Sequence, residues 1–310
     1  MIINYLSDSL FMSKDDIVRF SLTAPHRYKV YEIPKRKSGQ KRVIAHPSKE
    51  LKFIQRSLID ILKLYLPVHD AAFAYRKGIG IKENAKQHLN SKYLLKMDFE
   101  NFFPSITPAL FFKTLEEHGF VLDGDDKLVL SGLLFWKKKD FDGLTLSIGA
   151  PTSPLVSNSV MYLFDKKISE ICLSRKISYT RYADDITFST NIKNILFDIP
   201  ELVSSVLNEL VDGVKLNCKK TIFTSKAHNR HVTGVTLTND GKLSIGRERK
   251  RLISSMIHQS KFCNLTMDEA SKLLGLISHA EHIEPGFLKR MIHKYGEEVL
   301  NNIKSRASGV

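Results

Sequence analysis

Apolar positions recur at helical spacing in some stretches of the chain. In others they alternate or run together, and the two patterns interleave. Ser13, followed three residues on by Asp16, opens a helix as a capping-box pair. Tyr28 to Ile33 and Lys41 to His46 read as two strands around a basic turn at Ser38-Gly39. Leu51, Ile54, Leu58, Ile61, Leu62 and Tyr65 fall on one stripe, which predicts a helix from Glu50 to Leu66 stopped by Pro67. Tyr93 to Phe99 is a short apolar strand carrying Asp98 near its end. Pro104, Ser105 and Ile106 lead into a helix with Phe111, Leu115 and His118 on one face. Leu155 to Ile171 predicts one long helix, Ile177 to Thr190 two strands around Asp184-Asp185, and Ile195 to Leu210 another helix. Strands follow near Thr221, at Arg230 to Thr236 and at Leu243 to Ile245. From Arg247 onward the pattern is helical and basic, broken at Asn264 and Pro285-Gly286. There is no internal repeat or low-complexity linker. Hairpins outnumber regular βαβ units, so the predicted class is α+β.

Composition narrows this picture. A chain of 310 residues makes one large domain or two to three packed subdomains. Hydrophobic residues at 43% and charged residues at 26% exclude a disordered or fibrous chain. No apolar run reaches the roughly 18 residues of a membrane span. Met1 to Leu10 lacks a basic leader, so no signal peptide is expected. Cys172, Cys218 and Cys263 are widely spaced, which excludes a zinc knuckle or disulfide framework and fits a reducing cytoplasm. The net charge is +14, and Arg27 to Lys63 alone holds eleven Lys or Arg against three Asp or Glu. A polyanion partner follows, nucleic acid ahead of a membrane surface.

The sharpest chemical feature is Tyr182-Ala183-Asp184-Asp185. An isolated acid pair is ordinarily a solvated turn. Here the flanks SYTRYA and ITFST are strands, and placing two carboxylates between them is unfavourable unless a cation joins them. Asp98, on its own strand 86 residues before Asp184, supplies a third acid. Adjacent strands would unite the three, and a divalent pair held there would clamp the oxygens of a phosphoryl transfer.

These residues carry a family resemblance. YADD at 182–185 resembles motif C of the reverse-transcriptase palm, and MDFENFFPSI at 97–106 resembles motif A. LSIGAPTSPLVSN at 146–158 is similar to motif B, GVKLNCKKT at 213–221 to motif D, and HVTGVTL at 231–237 to the primer grip. Asn84 to His88 matches the NAxxH element of retron reverse transcriptases, and Val232-Thr233-Gly234 matches their second marker. Motif B departs at Ile148, where the family usually has a glutamine, which bears on nucleotide choice and fidelity.

The resemblance implies a right-hand polymerase: fingers over residues 1–91, a palm over 92–242 with a finger insertion near 120–147, and a thumb over 243–310. It implies Asp98, Asp184, Asp185 and the Phe99 carbonyl as ligands of two magnesium ions, with manganese as a substitute, and Lys220 as general acid. Phe103 would exclude the 2′-hydroxyl by bulk. Arg42 and Arg76 or Lys77 would hold the triphosphate of a dNTP, beside Gly149 and Ala150. Asn84, His88, Val232, Thr233 and Gly234 would read RNA, and Arg247, Arg249, Lys250 and Arg251 would grip it from the thumb. Trp136 with Lys137 to Lys139 is either a base-stacking site or a plain surface cluster. The implied partners are a cognate noncoding RNA, its multicopy single-stranded DNA product and a separate effector protein, in antiphage defence. An enzyme of the group II intron or diversity-generating type is a rival, against which the short thumb and absent extensions speak. A catalytically silent RNA-binding scaffold is another, against which the three acids speak.

Overall fold

In the computed structural model, which describes residues 1–34, 39, 41–139, 141–263 and 265–308, the chain opens with a helix absent from the sequence reading. This is α1 (Ile2–Leu10), with Ile2 and Leu6 fully enclosed one turn apart. Helix α2 (Lys14–Thr23) starts where expected, its first turn capped by Ser13 Oγ accepting from Asp16 N–H at 3.1 Å. Strands β1 (Tyr28–Pro34) and β2 (Lys41–Pro47) form an antiparallel hairpin, with Gly39 in its turn at φ +64°. Ser38 lies outside the described residues. Helix α3 (Lys49–Leu62) buries Leu51, Ile54, Leu58 and Leu62 but ends before Pro67. Its last turn tightens through i→i+3 bonds from Leu64 and Tyr65, which turns Tyr65 off the stripe to stack on Phe120 at 4.2 Å.

Helix α4 (Ile81–Gln87) leads to β3 (Tyr93–Glu100), then α5 (Phe102–Ser105) and α6 (Pro108–Glu117), divided where Thr107 caps a new start with Pro108 at its first position. Helix α7 (Gly124–Leu134) explains α1. Its buried Asp126 accepts from the Met1 ammonium at 2.5 Å and from the N–H groups of Ile2 and Ile3 at 3.0 and 2.9 Å. Strands β4 (Phe135–Trp136) and β5 (Thr145–Leu146) pair with each other. The single helix expected from Leu155 is two, α8 (Ser153–Val160) and α9 (Tyr162–Ser174), divided at Met161, where ψ rises to 3°.

The central sheet is antiparallel throughout. Strands β6 (Ser178–Tyr182) and β7 (Asp185–Thr190) form the acid-bearing hairpin. After α10 (Ile199–Leu210), which starts four residues later than expected, come β8 (Lys215–Leu216) and β9 (Ile222–Ser225). The order is β6-β7-β3, with β8 on the end and β9 on the start of the other edge of β3. β3 is the inner strand, and its Leu94, Leu95, Met97 and Phe99 are all buried.

The expected strand Arg230 to Thr236 is instead a hairpin, β10 (Arg230–Val232) and β11 (Val235–Leu237), to which β12 (Leu243–Ser244) adds. Thr233 at φ +46° and Gly234 at φ +81° form its two-residue turn, the combination that matches strand twist. Helices α11 (Arg247–Gln259), α12 (Met267–Ile283), α13 (Phe287–Tyr295) and α14 (Glu297–Ala307) complete the chain. Pro285-Gly286 separates α12 from α13 as expected, while Asn264 lies outside the described residues. Two apolar cores result, one around the central sheet and one joining β10–β12 to the last four helices. Among the described residues no helix is long and apolar enough to cross a membrane.

Candidate active site

Sheet register unites the three acids. Asp98 on β3 sits directly opposite Asp185 on β7, and Asp184 occupies the β6–β7 turn beside them. Phe99 N–H donates to the Asp184 carbonyl at 3.0 Å, pinning the turn to β3. Ala183 adopts φ +58°, a strained conformation for a residue with a side chain. Asp98 is 7% exposed, Asp184 half-buried, and Asp185 reaches solvent at the rim while protein walls enclose its other sides. Those walls, followed by the charges of Asp184 and Asp98, raise Asp185 to about 7. Enclosure followed by Asp98 raises Asp184 too, opposed by Lys220 and Arg42. Lys220 Nζ lies 2.7 Å from Asp98 Oδ1, so one cation already relieves the cluster.

The donor chemistry fits a hard divalent cation: three carboxylate side chains, enclosed and mutually repelling. Among the described residues no three acidic, histidine or cysteine side chains already converge as a metal cage. Magnesium ordinarily takes substrate phosphates among its ligands, so a site of this kind is completed by substrate.

Three further segments carry expected site residues. Phe103 on α5 meets Phe102 at 5.4 Å and Tyr75 edge-on at 6.5 Å between ring centres. Arg42 on β2 is exposed, and its charge favours the ionised form of Asp184. Gly149 comes against β2: a Cβ there would sit 2.9 Å from the Ala45 carbonyl, and Ala45 N–H donates to the Ile148 carbonyl at 3.0 Å. Ala150 is buried, its N–H bonded to Ser147 Oγ at 3.2 Å.

Several expected ligand-facing residues are otherwise engaged. Arg76 folds its own loop, donating to the carbonyls of His69, Asp70 and Ala72 and to the Asp70 carboxylate at 3.1 to 3.4 Å. Lys77 beside it is exposed. Asn84 and His88 are enclosed rather than presented to RNA. His88 bonds Ser189 Oγ at 2.8 Å and Thr180 Oγ1 at 2.7 Å, and burial pushes its pKa down to about 3. Asn84 Nδ2 donates to Thr233 Oγ1 at 3.4 Å, so the two sequence markers touch each other. Val232 is core, which leaves Thr233 and Gly234 as the outward part of that triplet. Trp136 is buried against Tyr28 and has no face for a base. On α11, Arg247, Arg249 and Arg251 are exposed, while Lys250 pairs with Glu284 at 2.8 Å.

One cluster escaped the sequence reading. Arg181 and Asp165 are both fully buried, and the carboxylate accepts from Arg181 Nε at 2.9 Å, from Nη2 at 2.6 Å and from Tyr179 Oη at 2.8 Å. The signal was present. Arg181 shares the inward face of β6 with Tyr179, two residues back. Asp165 lies on the apolar face of α9 with Ile168 and Cys172. A charge on the core face of each of two elements marks a buried pair.

Comparison with known proteins agrees with this geometry. The profile of the family "Reverse transcriptase (RNA-dependent DNA polymerase)" matches residues 33–237. The chain is 47% identical over 297 residues to the Retron Ec83 reverse transcriptase of Escherichia coli, covering 95% of each. It is 32% identical over 290 residues to the Retron Ec73 reverse transcriptase of the same organism, covering 90% of each. Among solved structures, telomerase from Candida albicans aligns with a TM-score of 0.52 at 13% identity, over 94% of this chain and 58% of that one, a likeness of fold.

Proposed function

Because the chain belongs to the reverse transcriptase family and to its retron members, RNA-directed DNA polymerases of right-hand fold, we propose that it copies one cognate structured noncoding RNA into DNA. The 2′-hydroxyl of a guanosine in that RNA serves as primer, and the product is a branched RNA–DNA hybrid, the multicopy single-stranded DNA. The observation that carries the chemistry is the acid cluster: Asp98 registered against Asp185, with Asp184 in the turn beside them and the pKa values of Asp184 and Asp185 raised.

Asp98, Asp184, Asp185 and the Phe99 carbonyl are the proposed ligands of two magnesium ions, for which manganese substitutes. Bound there, the ions would supply the positive charge that stabilises the attacking and leaving oxygens. Arg42, with Lys77 at the rim, orients the triphosphate by charge. Phe103 and Tyr75 form the wall against the sugar, where a 2′-hydroxyl meets ring carbon. Lys220, paired with Asp98 at 2.7 Å, returns a proton to the departing pyrophosphate in this reading. Gly149 and Ala150 keep the motif B loop tight on β2, with Ile148 offering only apolar contact to the nucleotide.

Residues 1–91 act as fingers, 92–242 as palm with a finger insertion near 120–147, and 243–310 as thumb. Thr233, Gly234 and the exposed arginines of α11 meet RNA backbone and loops. The enzyme works in the cytoplasm, and with its hybrid it restrains a separate effector protein in antiphage defence. Retron relatives of matching length support this reading over an intron-type or diversity-generating enzyme. Nucleic acid recovered with the purified protein decides it. The expected species is RNA joined to DNA through a 2′,5′ branch, separable by a debranching nuclease. Linear RNA alone, with no joined DNA, would contradict the proposal.

A further inference from the structure

Two residues hold a left-handed backbone without being glycine, one beside Asp184 and one against Phe103: Ala183 at φ +58° and Tyr75 at φ +64°. Such conformations persist where surrounding structure over-determines them. Both trace to one side chain. Arg181 Nε and Nη2 are spent on the Asp165 carboxylate, which leaves Nη1. That nitrogen donates to Asn158 Oδ1 at 3.1 Å and to the Ala183 carbonyl at 3.2 Å. Asn158 Nδ2 then donates to the Ala74 carbonyl at 3.0 Å, the peptide that leads into Tyr75. The Arg181 main chain grips the same loop, with its N–H on the Ala71 carbonyl at 2.7 Å and its carbonyl accepting from Phe73 at 2.8 Å.

We propose that Arg181, seated on Asp165, is a positioning residue for nucleotidyl transfer. It fixes the turn that aims Asp184 and Asp185, and through Asn158 it fixes Tyr75 against Phe103. Planarity is what the role requires. A guanidinium fork reaches the carboxylate, the amide and the carbonyl together, whereas a lysine ammonium has three donors at one point and a shorter reach. Arg181 has no exposure to solvent, so water does not replace a lost partner. The competing view is a core ion pair joining β6 to α9, which would affect stability and nothing else. The inference rests on reading the acid cluster as the transfer site.

Four variants test it: Arg181→Lys, Arg181→Lys with Ala183→Gly, Asn158→Ala, and Asp184→Asn as reference. Each is assayed by primer extension across dNTP concentrations, beside its melting temperature and folded fraction. Arg181→Lys is expected to lower kcat by about tenfold or more per folded molecule, the equivalent of one charge-assisted hydrogen bond, with a smaller change in dNTP KM. Adding Ala183→Gly should recover part of that rate without raising the melting temperature, since glycine adopts the turn unaided. Asn158→Ala keeps the ion pair but frees Ala74, so it should raise dNTP KM and ribonucleotide incorporation more than it lowers kcat. A rate loss that only follows the folded fraction, with no recovery from glycine, overturns the proposal, as does a wild-type rate in Arg181→Lys. If Arg181→Lys does not fold, Asn158→Ala decides alone, and unchanged KM and sugar choice overturn the proposal. Wild-type synthesis by Asp184→Asn would instead remove the underlying reading of the acid cluster.

Discussion

Gly149→Ala probes the joint between the motif B loop and the β1–β2 hairpin. Gly149 holds φ +131°, which side-chain-bearing residues rarely adopt, and a Cβ would stand 2.9 Å from the Ala45 carbonyl and 3.1 Å from His46 Nδ1. The backbone strain is about 1–3 kcal/mol. Moving the Ala45 peptide aside endangers its bond to Ile148, another ~0.5–1.5 kcal/mol. Together these amount to about 2–4 kcal/mol, a sizeable share of the roughly 5–15 kcal/mol that stabilises a domain. The variant should fold, melt roughly 3–6 °C lower, and synthesise DNA at least about tenfold more slowly, because β2 carries Arg42 and small misplacements are amplified in rate. Gly275→Ala is the internal control. It lies within α12 with nothing within 4 Å of its would-be Cβ, so it should gain about 0.5–1 kcal/mol and leave synthesis unchanged. Thermal melts and primer extension on the same preparations give both numbers. Wild-type melting and rate for Gly149→Ala, with the control behaving as stated, would refute the close-approach reasoning.

Phe103→Ala should raise ribonucleotide incorporation relative to deoxynucleotide in competition assays, because only ring bulk opposes the 2′-hydroxyl; an unchanged ratio moves the gate elsewhere. Asn84→Ala with His88→Ala should lower the melting temperature and reduce synthesis on the cognate RNA and on a generic template alike. Selective loss on the cognate RNA with no melting change would restore direct RNA reading by these side chains. His88 also sets an acid-side slope: the unfolded chain takes up a proton near pH ~6.5 that the folded protein refuses until about 3. Stability present above ~6.5 is therefore lost as pH falls towards 3, by about 1.4 kcal/mol per pH unit. His88→Gln should flatten that slope in pH-dependent melts, and an unaltered slope would assign it to other groups.

Local pattern made much of the architecture legible. Both strands of the β1–β2 hairpin, the acid-bearing hairpin, the start of α2 and the Pro285-Gly286 break are written in alternation, caps and turn residues. Some of the misses were decided by a distant partner. Helix α1 exists because Asp126, more than a hundred residues away, receives its first N–H groups. The Arg230 to Thr236 segment reads as continuous because its turn, Thr233-Gly234, lacks the Asn-Gly or Asp-Gly pair that ordinarily marks a two-residue hairpin. Motif spacing exposed the carboxylates, whereas solvent exposure of a polar side chain was not legible. Asn84 and His88 read as recognition groups, yet Thr233 accepts from Asn84 Nδ2, and Thr180 and Ser189 hold both ring nitrogens of His88. Arg181 is inconspicuous for the opposite reason: in a chain of net charge +14 a further basic residue stands out only by its complete burial.

The central claim is that Asp98, Asp184 and Asp185 form the nucleotidyl-transfer site. Its most direct test is DNA synthesis on an RNA template in magnesium by Asp184→Asn, with RNA affinity measured on the same sample. Synthesis should fall by about 10²-fold or more, while RNA affinity holds because the basic surfaces are untouched. Near wild-type synthesis by this variant would contradict the account.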